Sequence, residues 1–299
     1  MRLTVTAPLT FAWEEAPTRE PAPGEVRTRT RLSALSVASE LAVVLHGPFP
    51  ARLGYQTLGT VEVVGEGVTL RPGTRVVTTL GHAGAGLHRA ERLVPVPPEV
   101  PDRVALAAIL GEETHKGVRR VSPQPGERVL VAGAGAGLLG LLTVFNLTRR
   151  GVRDVTVLEP DPARRALALA FGAVACAPGE LPHDAFDVGF ECSAAPAGFA
   201  ELLAHLRPRG RACVLSDGNW GALVLPPAFH ARELSVVASS DGEDYGAYAA
   251  WLWRHADPLL ERLYPVTVTP ADLPTTYARL RGTPRPVSVV VDWGEGQDA

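Results

Sequence analysis

The 299-residue chain is short of cysteine, of net charge and of long apolar runs, and each shortage excludes a class of protein. Its cysteines, Cys176, Cys192 and Cys213, are odd in number and scattered. They have neither the even count of a disulfide framework nor metal-binding spacing, and they suit free thiols in a reducing compartment. A formal net charge of -3 offers no basic surface to track phosphates, so no nucleic acid partner is expected. No stretch approaches the roughly 20 consecutive apolar residues of a membrane span, so no membrane partner is expected either. Met1-Arg2-Leu3-Thr4-Val5-Thr6 reads as an alternating strand rather than as an export signal, and the expected location is cytoplasmic. Internal repeats and low-complexity tracts are also lacking.

What is present suits a globular protein with a full core: 46% hydrophobic and 20% charged residues, at a length comfortable for two domains. The first 120 or so residues combine Gly, Pro, Val and Thr in short strand-like runs. Thr60-Val61-Glu62-Val63-Val64-Gly65 and Thr74-Arg75-Val76-Val77 are examples, the second launched by Pro72-Gly73. This spacing predicts an all-β barrel or sandwich.

From about Glu127 the pattern changes. Arg128-Val129-Leu130-Val131-Ala132 is a continuous apolar run of the kind buried on both faces of a parallel sheet. Strand-like and helix-like segments then alternate: Val155-Thr156-Val157-Leu158, a helix over 162–171 with Pro162 at its start, and strands at Asp187-Val188-Gly189-Phe190, Ala212-Cys213-Val214-Leu215 and Leu234-Ser235-Val236-Val237. Such alternation implies right-handed crossovers and a doubly wound parallel sheet. After about Gly242 a helix is expected over 245–264, followed by Pro-punctuated strands that end at 287–291.

The sharpest signal is Gly133-Ala134-Gly135-Ala136-Gly137-Leu138-Leu139-Gly140, placed after a strand and at the start of a helix. In that setting GxGxxG permits a tight turn and brings a pyrophosphate close to backbone N–H groups at the helix N-terminus. Two registers are open. Gly135, Gly137 and Gly140 satisfy the pattern fully and are preferred; a start at Gly133 puts Leu138 where the third glycine belongs. Glu159 ends the next apolar run, about 20 residues on, where a carboxylate can accept both ribose hydroxyls. This points to NAD. Arg164 and Arg165 leave NADP as the alternative, or else lie on a solvated helix face.

These segments together resemble the medium-chain dehydrogenases/reductases. The likeness rests on Gly54-Tyr55-Gln56 with Gly59-Thr60-Val61-Glu62-Val63-Val64-Gly65, on Leu70-Arg71-Pro72-Gly73-Thr74-Arg75-Val76 and on the glycine fingerprint. It extends to Glu159-Pro160-Asp161-Pro162-Ala163-Arg164-Arg165, Glu191-Cys192-Ser193 and Phe229-His230-Ala231-Arg232-Glu233-Leu234. Within that family the chain is similar to the zinc alcohol, sorbitol and threonine dehydrogenases and to a subgroup including bacteriochlorophyllide hydroxyethyl dehydrogenase. The resemblance implies an α/β protein: a GroES-like β-barrel catalytic domain over residues 1–118, a Rossmann domain over 119–243, and a return to the first domain over 244–299. It also implies an active cleft between the two domains, a cofactor contact at Ser193, and a homodimer or homotetramer formed through the Rossmann domain.

The departures from that pattern concern metal. Zinc-using relatives carry Gly-His-Glu where this chain has Gly54-Tyr55-Gln56. Their first ligand is a cysteine in the segment matching residues 33–40, where this chain has none, and their third falls near the apolar Ile109-Leu110. A catalytic zinc needs three N, S or O ligands and an open position, so no zinc is expected. An alkoxide formed by hydride transfer then needs another proton donor. Tyr55 is the first candidate, unless it simply fills the vacated pocket. Ser39 matches the family's relay hydroxyl or else caps a helix, and Glu40 beside it reads as an ion-pair partner. Thr114 falls on the segment implied to reach the nicotinamide, while His82 and His230 read as structural.

The expected function is a zinc-independent NAD(P)-dependent oxidoreductase acting on a small to medium alcohol/carbonyl substrate. The alternatives are an NADPH-dependent reductase of enoyl, quinone or imine double bonds, and a non-catalytic dinucleotide-binding protein or degenerate partner subunit.

Overall fold

The computed structural model describes residues 1–15, 19–133, 137–217 and 221–294. The chain divides into two compact units, one of Met1–Ile109 with Tyr245–Ala299 and one of Leu110–Asp244. The first segment contains strands β1 (Arg2–Ala7), β2 (Thr10–Glu14), β3 (Glu25–Ala34), β4 (Ala51–Arg52), β5 (Gln56–Val64), β6 (Arg75–Thr78), β7 (Ala85–Arg89) and β8 (Val94–Pro95), with helices α1 (Val37–His46) and α2 (Asp102–Leu106). Helix α3 (Ala108–Val121) leads into the middle segment. There β9 (Val129–Ala132), β10 (Val155–Leu158), β11 (Val174–Cys176), β12 (Phe186–Glu191), β13 (Leu206–Val214) and β14 (Ser235–Ala238) alternate with α4 (Leu138–Arg149), α5 (Pro162–Ala170), α6 (Pro196–His205) and α7 (Pro227–Ala231). The last segment holds α8 (Tyr245–Arg254), β15 (Val266–Val268), α9 (Leu273–Arg279) and β16 (Val289–Asp292).

In the first unit a seven-stranded sheet runs β15-β16-β3-β5-β6-β8, with β7 also paired to β3, and β2-β1-β4 form a second sheet. Strand β3 takes three partners because it is long: β5 pairs with most of its length, β7 with Glu25–Arg29 and β16 with Leu32–Ala34. Its ladder with β5 shifts register twice, and such bulges bend a strand. The return strand β16 pairs antiparallel with β3, Val290 opposite Ala34. Two expectations are corrected here. The first segment is not all β: Val37, Leu41 and Val44 recur at helical spacing and bury one face of α1. The helix expected over 245–264 ends at Arg254, because Asp257-Pro258 restarts the chain as a 3-10 turn whose Leu259 amide is capped by the Asp257 carboxylate at 2.8 Å.

The second unit is built on one six-stranded sheet in the order β11-β10-β9-β12-β13-β14, every pair parallel. Numbered from β9, this is the 3-2-1-4-5-6 order of a dinucleotide-binding sheet, with its switch point between β9 and β12. All four residues of the apolar β9 are buried, and so are all six of β12, the carboxylates of Asp187 and Glu191 included. Helix α5 starts where Asp161 accepts from the amides of Ala163 and Arg164 and Pro162 needs no partner.

Candidate dinucleotide site

The chain leaves β9 through Gly133, whose φ of +77° and whose crowding against the next loop both require glycine. A Cβ there would lie 2.5 Å from the Ser193 Cα. The turn after β9 therefore presses on the loop after β12, across the switch point. Gly133 thus opens the turn. Gly135, the start of the preferred register, lies outside the described residues. Gly137 occupies the N-cap of α4, has no side-chain cap, and a Cβ on it would meet nothing within 4 Å. Leu138 and Gly140 are buried in the first turn of that helix. A helix N-terminus without a side-chain cap offers the amides that a diphosphate needs, so the described residues fit a dinucleotide.

Glu159 follows β10 at the same carboxyl edge and is buried; its Oε1 accepts from the Asp161 amide at 2.9 Å. The arginines beside it do not lie on a solvated face. Arg165 donates to the carbonyls of Glu159 and Pro160 at 2.8 and 2.7 Å, and the half-buried Arg164 approaches Asp161 at 3.8 Å. Helix polarity explains this, since both side chains point back over the turn preceding α5.

Ser193 is held by Glu191, which the sequence reading passed over. The carboxylate of Glu191 accepts from Ser193 N at 2.7 Å, from Ser193 Oγ at 2.5 Å and from Ser216 Oγ. An acidic residue ending a fully buried strand, with a serine two positions on, was the available signal.

Thr114 is placed differently from the expectation. It is fully buried in α3, its hydroxyl donates to Gly111 O at 3.0 Å and accepts from Asn146 Nδ2 of α4 at 2.8 Å. The hydroxyl thus joins α3 to α4. Nearby, Glu112 is buried and its carboxyl lies below the usual range: burial pushes it up, but hydrogen bonds from His115 and from the amides of Asp244 and Glu243 prevail. The neighbouring Glu113 is pushed up to about 8, by burial first and then by the charges of Asp241, Asp217 and Glu112, with Lys116 opposing weakly.

In the first unit, Tyr55 is half-buried just before β5. The loop carrying it is fixed from behind. Gly54 has φ +79°, and a Cβ on it would lie 2.9 Å from the His82 ring. Both nitrogens of His82 are engaged, Nδ1 with Ser33 Oγ at 2.8 Å and Nε2 with Glu40 Oε2 at 3.0 Å. Glu40 also accepts from Tyr277 OH at 2.5 Å and from the Ser36 amide at 2.8 Å, and Trp293 Nε1 donates to Ser33 Oγ at 3.0 Å. Ser36 holds the N-cap position expected of Ser39; Ser39 sits inside α1 with its hydroxyl 3.1 Å from that of Ser36. His82 and Glu40 thus form one buried polar network, and next to it Gln56 is buried with neither amide atom hydrogen-bonded.

Among the described residues no group of three or more His, Cys, Asp or Glu is gathered that would hold a metal ion. The residues at the expected ligand positions do not fit a catalytic zinc. Among the same residues no helix is long and apolar enough to cross a membrane.

No family model matches the chain. It is 28% identical over 218 residues to an L-threonine 3-dehydrogenase of Mesorhizobium japonicum, covering 58% of this chain and 62% of that protein. It is 33% identical over 152 residues to a 2-haloacrylate reductase of a Burkholderia species, covering 44% of each. The chain therefore spans less than two thirds of the length of either relative. In fold it matches the crystal structure of L-idonate 5-dehydrogenase from Escherichia coli, at 17% identity and a TM-score of 0.84, over 98% of this chain and 97% of that one. The chain has the medium-chain dehydrogenase/reductase fold, a GroES-like unit with a Rossmann unit, and resembles the threonine and alcohol dehydrogenase branch of that family in sequence.

Proposed function

We propose that the protein is a zinc-independent, NAD-dependent oxidoreductase of small to medium alcohol/carbonyl substrates. The observation that carries this reading is the glycine turn at Gly133, packed on Ser193 at the switch point of the parallel sheet. Glu159 at the end of the neighbouring strand supports NAD, because a 2′-phosphate would meet a buried carboxylate. The absence of a three-ligand group among the described residues supports a zinc-free site.

When bound, the nicotinamide supplies hydride to the carbonyl carbon or takes it from the alcohol. The residues of this chain bind the diphosphate with the amides at the start of α4 and hold the ribose with Glu159. Tyr55 gives its phenolic proton to the substrate oxygen as that oxygen becomes an alkoxide. A phenol is a stronger acid than an alcohol, so the transfer runs downhill. Ser39, at the family's relay position, is the hydroxyl that would return that proton. In the reverse direction the same groups accept it. The Rossmann unit carries a homodimer or homotetramer contact in this reading.

The test is direct. Purified protein is titrated with NADH by fluorescence, then assayed against a carbonyl panel at the reduced-nicotinamide absorbance, with elemental analysis of the same sample. Binding, turnover and no equimolar zinc are expected. Failure to bind any pyridine nucleotide would sink the reading, and equimolar zinc would remove its metal-free part.

A second reading is reduction of an activated carbon–carbon double bond. The likeness to a 2-haloacrylate reductase favours it, as do Arg164 and Arg165 beside Glu159 for NADPH. Preference for NADPH and for acrylate-type alkenes over ketones in the same panel would select it.

A further inference from the structure

Glu191 ends β12 and is fully buried. A carboxylate is costly to bury unless donors surround it, and an apolar side chain would end this strand at no such cost. Its donors come from two different loops. Ser193, in the loop after β12, bonds Oε1 through both its amide and its hydroxyl, at 2.7 and 2.5 Å. Ser216, in the loop after β13, bonds Oε2 through its hydroxyl. The backbone carbonyl of Glu191 adds a bond from the Leu215 amide at 2.9 Å. Ser193 Oγ also accepts from Ala195 N at 3.2 Å, which bends the loop toward α6. One carboxylate thus ties Ser193, which follows β12, to Ser216, which follows β13.

Both serines lie at the carboxyl edge of the sheet. In a sheet of this order the half built on β9 to β11 receives the adenosine end, and the half built on β12 to β14 receives the other mononucleotide. We infer that Glu191 is a positioning residue for the nicotinamide-bearing half of the cofactor, acting through Ser193 and Ser216 rather than by touching it. The inference rests on the dinucleotide reading above. It predicts that loss of the carboxylate uncouples the two halves of the cofactor.

The experiment uses the full chain and two probes: NADH, and ADP, which has the adenosine and diphosphate but neither nicotinamide nor its ribose. Glu191→Ala is expected to weaken NADH binding by about tenfold while ADP binding stays within about twofold. Glu191→Gln is expected to restore most of the NADH affinity, since a carboxamide still accepts from Ser193 N and donates to the Ser216 hydroxyl. Should Glu191→Ala lack a cooperative thermal transition, Ser216→Ala cuts one link alone, with an expected loss of about threefold for NADH and none for ADP. A folded variant that weakens both probes equally, or neither, would overturn the inference. A wild-type protein that binds neither probe would overturn the dinucleotide reading itself, and this inference with it.

Discussion

The two units place polar groups in opposite ways. In the second unit the turn at Gly133, the uncapped start of α4 and the carboxylate of Glu159 come from one continuous stretch, and most of what they offer is backbone. In the first unit the network of Ser33, Glu40, His82, Tyr277 and Trp293 is all side chain, drawn from far apart: Glu40 and Tyr277 are 237 positions apart and Ser33 and Trp293 260. A site made of backbone tolerates change at most side chains and fails at a few glycines. A site made of side chains fails wherever one partner is removed, because each buried donor or acceptor then stands alone.

The first way to sharpen that contrast is Gly133→Ala. A methyl group 2.5 Å from the Ser193 Cα, at positive φ, is expected to cost about 3 kcal/mol of stability and at least about a hundredfold in NADH affinity. Thermal unfolding and a nucleotide titration measure the two losses; wild-type affinity would mean that the turn does not cradle the cofactor. Next comes Glu40→Ala, which strips His82, Tyr277 and the Ser36 amide of their acceptor at once. It is expected to cost about 3 kcal/mol by denaturant unfolding while NADH affinity stays unchanged. A drop in affinity would break the separation between the units.

Tyr55→Phe is expected to lower turnover about a hundredfold, with NADH binding and melting temperature unchanged. Full turnover in that variant would leave Tyr55 a filler of space. The smallest effect concerns Glu113, whose carboxyl rises from 4.5 to about 8 on folding. Between those values the folded state keeps a proton that the unfolded chain has lost, so stability falls as pH rises through the window and levels off above it. Glu113→Gln removes that slope. Its melting temperature is expected to exceed the wild type's by about 2–4 °C at pH 8 and to match it at pH 4. Equal melting curves at both pH values would show that Glu113 carries no such burden.

The contrast also explains what was legible in the sequence. The alternation after Glu127 was legible as the parallel sheet, because short apolar runs such as Val129–Ala132, buried throughout, recur between helix-like segments. The glycine turn was legible for the same local reason. Helix α1 was hidden among strand-like neighbours, since only Val37, Leu41 and Val44 mark its face. The partners of Glu40 were unreadable: nothing local to residue 40 announces Tyr277. The bond between Thr114 and Asn146 was equally unreadable, since the two lie on different helices. Glu191 was in plain view within a motif, but its role depends on Ser216, which only the pairing of β12 with β13 brings near.

Strand β16 has a consequence for synthesis. Val290 pairs with Ala34 and Val291 with Ser33, so the first unit cannot complete its sheet until β16 has left the ribosome. The middle segment needs no such wait, having all six of its strands in hand by residue 238. During translation the nucleotide-type sheet gains a head start, and the N-terminal strands spend that interval with the β16 edge of β3 open to chaperones or to one another.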